Sequence, residues 1–334
     1  MQADTSVPHS ARRALRLRFD TPAKRLAGLS VLALACVTLF MTINLSGNIG
    51  YILAHRGMIL ATMLLVAFAS GVATLLFQTV TNNRILTPSV MGLEALFILL
   101  QTLLIFFIDA NGLRRLGVSG QFICEALLLV LFSTFLYRWL LGRVGINLHS
   151  VLLVGLVCGT LFRSLSGLLQ RLLEPGEFAI LQSRIFATFT RAAPEIIVLA
   201  ALATLATALI IWRMRYSLDV IALGRDISVG LGVPWRRRVT LILLLISLLV
   251  ALSTALVGPL TFFGLLVANL TYQLIGSHRH HYLLPGVVLV GIITLVGGQV
   301  ILERLLHMAG SLSVVIEFVG GALFLCFLIK KAAV

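Results

Sequence analysis

Apolar runs of about twenty residues, the length at which a helix crosses the ~30 Å hydrocarbon core of a bilayer, recur from one end of the chain to the other. Ten stretches qualify: 26–44, 59–80, 91–109, 121–141, 150–170, 195–212, 239–257, 258–276, 283–302 and 313–330. Of the 334 residues, 59% are apolar and only 11% charged, where a soluble domain carries about 25% charged residues. So little polar surface cannot cover a soluble body. An ordinary cytosolic enzyme, a nucleic-acid binder and a disordered chain are thereby excluded. The expectation is an all-α integral membrane protein with about ten transmembrane helices. It forms one domain, 26–334, behind a tail, 1–25.

The least obvious division falls at Gly258-Pro259. An unbroken helix over 239–276 would be about 57 Å long, so the chain must turn back there, and Gly-Pro is a turn former. Asn269, Thr271, Tyr272 and Gln273 make the eighth span short or broken, because such groups cannot meet lipid unpaired. The net charge of +14, from 26 basic and 12 acidic residues, records sidedness. With both termini on one side, eighteen basic residues share that side and seven lie opposite, Arg163 falling inside span five. The positive-inside rule then puts both termini in the cytoplasm. The first run lacks a cleavage site followed by a polar mature domain, so it is expected to remain as a span. Cys36, Cys124, Cys158 and Cys326 each sit in an apolar run and read as small hydrophobes.

Catalytic chemistry has few places to reside. There is no GxxxxGKS or GxxxxGKT phosphate cradle, no HExxH and no compact acidic cluster. His278, His280 and His281, in the stretch SHRHH, have no Cys, Asp or Glu close in sequence and read as interfacial loop groups; no metal site is expected. The chain itself is expected to bind no cofactor and to catalyse no reaction. Transport is the remaining class.

Ionisable groups within spans mark pathways or bundle pairs. Glu94, Glu125 and Glu317 lie a few residues inside spans three, four and ten, while Asp109, Glu195 and Glu303 sit at edges. Arg163 must face protein or a water-filled cavity, and both pathway lining and pairing within the bundle remain open. With Asn269 and Gln299, Glu94 and Arg163 form the candidate set for the pathway or bundle lining. Gly155 and Gly159, like Gly320 and Gly321, permit close helix approach.

The longest loop on the side of the termini, 213–238, carries an interrupted apolar face: Leu218, Ile221, Leu223, Ile227 and Leu231. Ser217 is placed to cap a helix starting near Leu218. Gly224 permits a bend, and Gly230 and Gly232 end the helical part before Pro234. The loop reads either as an interfacial helix flanked by topogenic arginines or as a docking element that receives force from a cytoplasmic partner.

Four stretches resemble the iron-siderophore and vitamin B12 class of ABC importer permeases, the FecCD family. LDVIALGRDISVGLGV (218–233) is similar to its coupling loop, GPLTFFGLLVANL (258–270) to its GxIxFxGL signature, LLPGVVLVGIITL (283–295) to the start of its ninth helix, and QTVTNNRILTPSVMG (78–92) to its loop after the second. Departures are present too. Arg84 stands where that family commonly has Pro, Tyr272 near a usual Arg, Gln299 at a usual Asp, and Gly320-Gly321-Ala322 at a usual Gly-x-Pro.

The resemblance implies a BtuC-like permease fold in a bacterial inner membrane, working by alternating access. It implies ferric siderophore, of catecholate or mixed type, as cargo. The partners would be a cytoplasmic ABC ATPase dimer that uses ATP and Mg, a second FecCD-type permease, and a periplasmic or lipid-anchored siderophore-binding protein. The ATPase-coupling residues would be Leu218, Ile221, Leu223, Gly224, Arg225, Asp226, Leu231 and Gly232. Arg114, Arg115, Arg171, Arg184 and Arg191 would meet the binding protein. A permease for cobalamin or haem, or a proton-coupled secondary transporter, are the alternatives.

Overall fold

Hydrocarbon offers no partner to a free N–H or C=O, so a chain of this composition closes its backbone bonds within helices. The computed structural model describes residues 21–43, 48–115, 117–143, 148–189, 193–305 and 312–332, and among them every regular element is helical. In order these are α1 (Pro22–Thr42), α2 (Ile49–Thr81), a single 3-10 turn (Pro88–Met91), α3 (Leu93–Arg115), α4 (Gly117–Arg143), α5 (Leu148–Gln170) and α6 (Pro175–Ile185). They continue as α7 (Pro194–Ile221), α8 (Arg225–Gly230), α9 (Trp235–Val257), α10 (Phe263–Ile275), α11 (His280–Leu305) and α12 (Leu312–Ala332). Proline begins α1, α6 and α7, where its missing N–H would have had no intrahelical partner.

Among the described residues, six helices are long and apolar enough to cross a membrane: α1, α2, the 153–170 part of α5, α7, α9 and α11. Shorter apolar stretches lie on α3 (Leu93–Ile108), α4 (Ser119–Phe135), α10 and α12 (Leu312–Ala322). Each of the ten runs read from the sequence therefore falls on a helix.

The centre of the bundle is α2. It packs against α7, α9, α10 and α11, and Met63, Val66, Ala67, Leu75, Leu76 and Phe77 on it are fully buried. Small residues set these crossings: Gly71 lies against Val287 and Val267, and Gly291 against Ala67. By contrast α1 and α5 are peripheral, and Leu153, Leu156, Val157, Leu161, Leu165 and Leu168 of α5 are exposed.

Several boundaries differ from the sequence reading. The second helix starts at Ile49, ten residues before position 59, because Asn48 caps it by accepting from Tyr51 N–H. Arg56 then folds back to donate to the Phe40 carbonyl at 2.8 Å and to that of Ile43, closing the end of α1. The 213–238 loop is shorter than expected. The apolar spacing of Ile211, Met214, Leu218 and Ile221, all buried, carries α7 on to Ile221. Ser217 is thus inside α7 and caps nothing. The turn at Gly258 holds, with φ 104°, and the eighth segment is short: α10 has 13 residues. The tail, apart from its last residues, lies outside the described residues.

The α3–α5 crossing depends on two glycines. A Cβ on Gly92 (φ 81°) would come 2.6 Å from Gly159 Cα, and one on Gly159 would come 2.9 Å from Gly92 Cα. Gly159→Val is expected to destabilise the bundle by about 1–3 kcal/mol, read as a lowered midpoint of thermal unfolding in detergent. Gly167→Ala on the same helix, with nothing within 4 Å of the added carbon, is expected to leave the midpoint unchanged.

Candidate functional site

At one end of the bundle α7 stops and the chain makes a tight excursion before α9. Gly224, at φ 96° and ψ 170°, holds a conformation essentially reserved for glycine, and Gly232 at φ 81° closes the excursion. Between them α8 has six residues, far too few to be stable alone. Ser228 holds it. Its buried hydroxyl lies 2.8 Å from the Val220 carbonyl and 2.6 Å from that of Gly224, tying α8 to the last turn of α7. With the serine turned inward, Leu223, Ile227, Val229 and Leu231 are left exposed at 53, 54, 54 and 62%, beside exposed Arg225 and Asp226. Four apolar side chains projecting from one short knob make an exposed apolar patch, the kind of surface that marks an interaction site. Leu218 and Ile221, expected on that surface, are instead in the core, 1% and 0% exposed.

Beneath the knob the same turn of α7 is anchored sideways. Asp219 Oδ1 accepts from the backbone N–H of His280 and from its ring Nδ1, both at 2.7 Å. The other ring nitrogen of His280 is 2.8 Å from Thr79 Oγ1 on α2. The histidine neighbourhood that lacked an acidic partner in sequence acquires one from 61 residues away. The three histidines go to separate partners: His280 to Asp219 and Thr79, His281 to the Trp212 ring at 5.5 Å, and His278 to Arg84 at 3.4 Å. Arg84 also lies over the Tyr272 ring, 4.5 Å from its centroid. Two positions read from the sequence as separate departures thus meet each other. Arg25 donates to the Leu274 and Ile275 carbonyls at 3.4 Å, satisfying the end of α10.

A second polar site lies deep in the bundle. The chain after α2 turns back through the 3-10 turn, so that α3 begins beside the start of α10. Glu94, in the first turn of α3, accepts from Ser89 at 2.7 Å and from Thr261 at 2.8 Å. Its neighbours Ser70, Thr74, Ser253, Thr254 and Thr261 line a cavity of about 20 Å³, room for about one water. Ser70 and Ser253 are in contact at 2.7 Å. Since Ser70 precedes the end of α2 by eleven residues, the cavity is about 16 Å in from the α8 end. Arg163 and Glu317 are close enough to act electrostatically on Glu94. Arg163 itself is exposed on α5. The other two candidates do not join this group by any described bond: Asn269 is half-buried on α10, and Gln299 donates to Glu303 on its own helix at 3.0 Å.

The opposite end holds the arginines expected to meet a binding protein. Arg171 is exposed. Arg184 is turned inward, bonding Gln121 at 3.1 Å and approaching Glu125 at 3.9 Å, so it ties α6 to α4 rather than offering a free docking charge. The side chains of Arg114 and Arg115, and all of Arg191, lie outside the described residues.

Reading by residue type missed Ser228, Asp219 and His280 as working parts. A serine four residues after Gly224 in a run of apolar side chains is a local signal, since a serine hydroxyl bonds the carbonyl four residues back. The Asp219–His280 contact has no such local sign.

The sequence profile of the FecCD transport family matches residues 29–330. The chain is 40% identical over 307 residues to the petrobactin import system permease protein YclO of Bacillus subtilis, covering 92% of this chain and 97% of that one. It is 35% identical over 283 residues to the petrobactin import system permease protein FatC of Bacillus anthracis, covering 84% and 80%. Its fold is similar to that of a solved structure described as an inward-facing conformation of a metal-chelate type ABC transporter, with TM-score 0.80, 21% identity, and coverage of 93% of this chain and 100% of that one.

Ser228→Ala removes the hydroxyl's link from α8 to Val220 of α7 and its contact with the Gly224 carbonyl at the start of α8. With each hydrogen bond worth about 0.5–1.5 kcal/mol, backbone amides of 222–233 are expected to exchange about tenfold faster or more, measured by hydrogen–deuterium exchange, while α2 and α9 stay protected.

Proposed function

The chain belongs to the FecCD transport family, and from that premise we propose that it is the membrane-spanning permease subunit of an ATP-binding cassette importer whose cargo is a ferric siderophore. It is not itself an enzyme; ATP hydrolysis belongs to a separate subunit. The observation that carries the reading is the α8 knob. A chain with no phosphate cradle ends one side of its bundle in a small, braced, apolar projection, which is what a membrane subunit driven from outside itself needs.

The full arrangement has ten spans, the four shorter apolar helices crossing with the six long ones. Both termini and α8 face the cytoplasm, in accord with the clustering of Arg25, Arg84, Arg279 and the Arg236–Arg238 run at that end. Two ATPases seat the α8 knobs of this chain and of a sister permease. The sister subunit covers the outward face of α5, which brings exposed Arg163 out of lipid and onto the pathway, beside Glu94. A central arginine has no stable place against hydrocarbon. A binding protein docks at the opposite end, where Arg171 is available. Closure of the ATPases on ATP moves the knobs and alternates access to the pathway.

Two tests follow from this reading. Ile227→Glu with Leu231→Glu puts charge at the centre of the docking surface and should abolish co-purification of the ATPase, while membrane insertion and the elution volume of the permease stay as in the wild type. Retention of the ATPase would contradict docking through α8. For cargo, names of the two relatives support the siderophore class, petrobactin first. In the reconstituted transporter, ferric petrobactin with the cognate binding protein should stimulate ATP hydrolysis severalfold and cobalamin or haem should not. Stimulation by cobalamin or haem alone would favour a different large chelate, and uptake without any ATPase would favour a secondary transporter.

A further inference from the structure

The docking knob is not an appendage on a flexible tether: its base is fastened to two helices distant in sequence. Ser228 fastens α8 to the carbonyl of Val220. The neighbouring residue, Asp219, fastens that turn to the start of α11 through two bonds on one carboxylate oxygen. One of them goes to the backbone N–H of His280, which opens α11 and has no partner within that helix, so Asp219 caps α11 from another helix. The carboxylate also complements the positive end of the α11 dipole. The His280 ring, 2% exposed, then reaches Thr79 in the last turn of α2, and Thr79 donates to the Leu75 carbonyl. Packing of Trp212 against His281 runs beside the same α7–α11 contact. The helix at the far end of this chain, α2, is the one that lines the Glu94 cavity with Ser70 and Thr74.

We propose that Asp219 is a positioning residue for energy coupling, transmitting displacement of the α8 knob through His280 to α11 and through Thr79 to α2. This rests on the docking reading above. A displaced knob has two routes into the bundle: along α7 itself, or sideways through Asp219. The route along α7 meets α2 and α11 through side-chain packing, whereas the sideways route joins the base of the knob to both helices by hydrogen bonds.

The test uses the full transporter, with both permeases, the ATPases and the binding protein, in proteoliposomes. Asp219→Ala removes both bonds; Asp219→Asn keeps an acceptor oxygen for them. The Asp219→Ala transporter is expected to keep its ATPases and to hydrolyse ATP within twofold of the wild type, while cargo moved per ATP falls at least fivefold. Asp219→Asn should restore that ratio to within twofold. Adding Thr79→Val to Asp219→Ala should lower it little further, since both lie on one route.

A wild-type ratio in Asp219→Ala overturns the proposal. So does a parallel loss of hydrolysis and uptake that Asn fails to rescue, because that marks a purely structural residue. Loss of the ATPases from Asp219→Ala overturns it too. Failure of the docking reading shows elsewhere, as ATPase retained by the Ile227→Glu, Leu231→Glu permease.

Discussion

A helix that begins inside an apolar bundle has no water to bond its first N–H groups, and the structure is organised around two such beginnings. The starts of α3 and α10 lie side by side in the bundle, joined by the Glu94–Thr261 bond. A carboxylate between two helix N-termini is favoured by both dipoles, and Glu94 occupies that place with Ser89 and Thr261 donating to it. The surrounding choices follow. Hydroxyl side chains of α2 and α9 meet at Ser70 and Ser253. Gly264, one residue into α10, has no room for a Cβ, which would collide with Thr74 Oγ1. Breaking the helices costs backbone satisfaction, but it brings polar groups and loops into a region otherwise closed to them, as transport requires.

The other organising demand is mechanical. Under the proposed docking, force applied at α8 does useful work only if α8 does not simply bend away. A six-residue helix has little stiffness of its own, so it is supplied from outside: glycines at φ 96° and 81° set the path of the chain, and Ser228 pins the middle. The apolar side chains are thereby left outward, and none of the described residues covers them. Beneath them, the contacts of Asp219, His280 and Thr79 join the ends of three helices.

Much of this was legible in the sequence because membranes impose simple rules. Run length located the helices, the Gly258-Pro259 turn followed from bilayer thickness, and the polar side chains of 269–273 foretold a short α10. Spacing within the 213–238 loop was less reliable. Leu218 and Ile221 continue the apolar face of α7 and so are buried, while Leu223 and Leu231 lie beyond the helix end and are exposed. A list of apolar residues does not distinguish these, since the outcome depends on where α7 stops. Contacts made across the fold were invisible. Arg84 and Tyr272 looked like two unrelated departures, yet the cation lies over the ring. Arg184 looked like a surface charge until the position of Gln121 was known.

The central claim is that α8 meets the ATPase and the opposite end does not. A cysteine cross-linking experiment on the assembled transporter tests both halves, using Ile227→Cys on the knob and Arg171→Cys at the far end. Ile227→Cys should cross-link to the ATPase in a way that changes with ATP, and Arg171→Cys should not cross-link to it in any state. An ATPase adduct at position 171, or an adduct of position 227 with the binding protein, would contradict the assignment of the two ends.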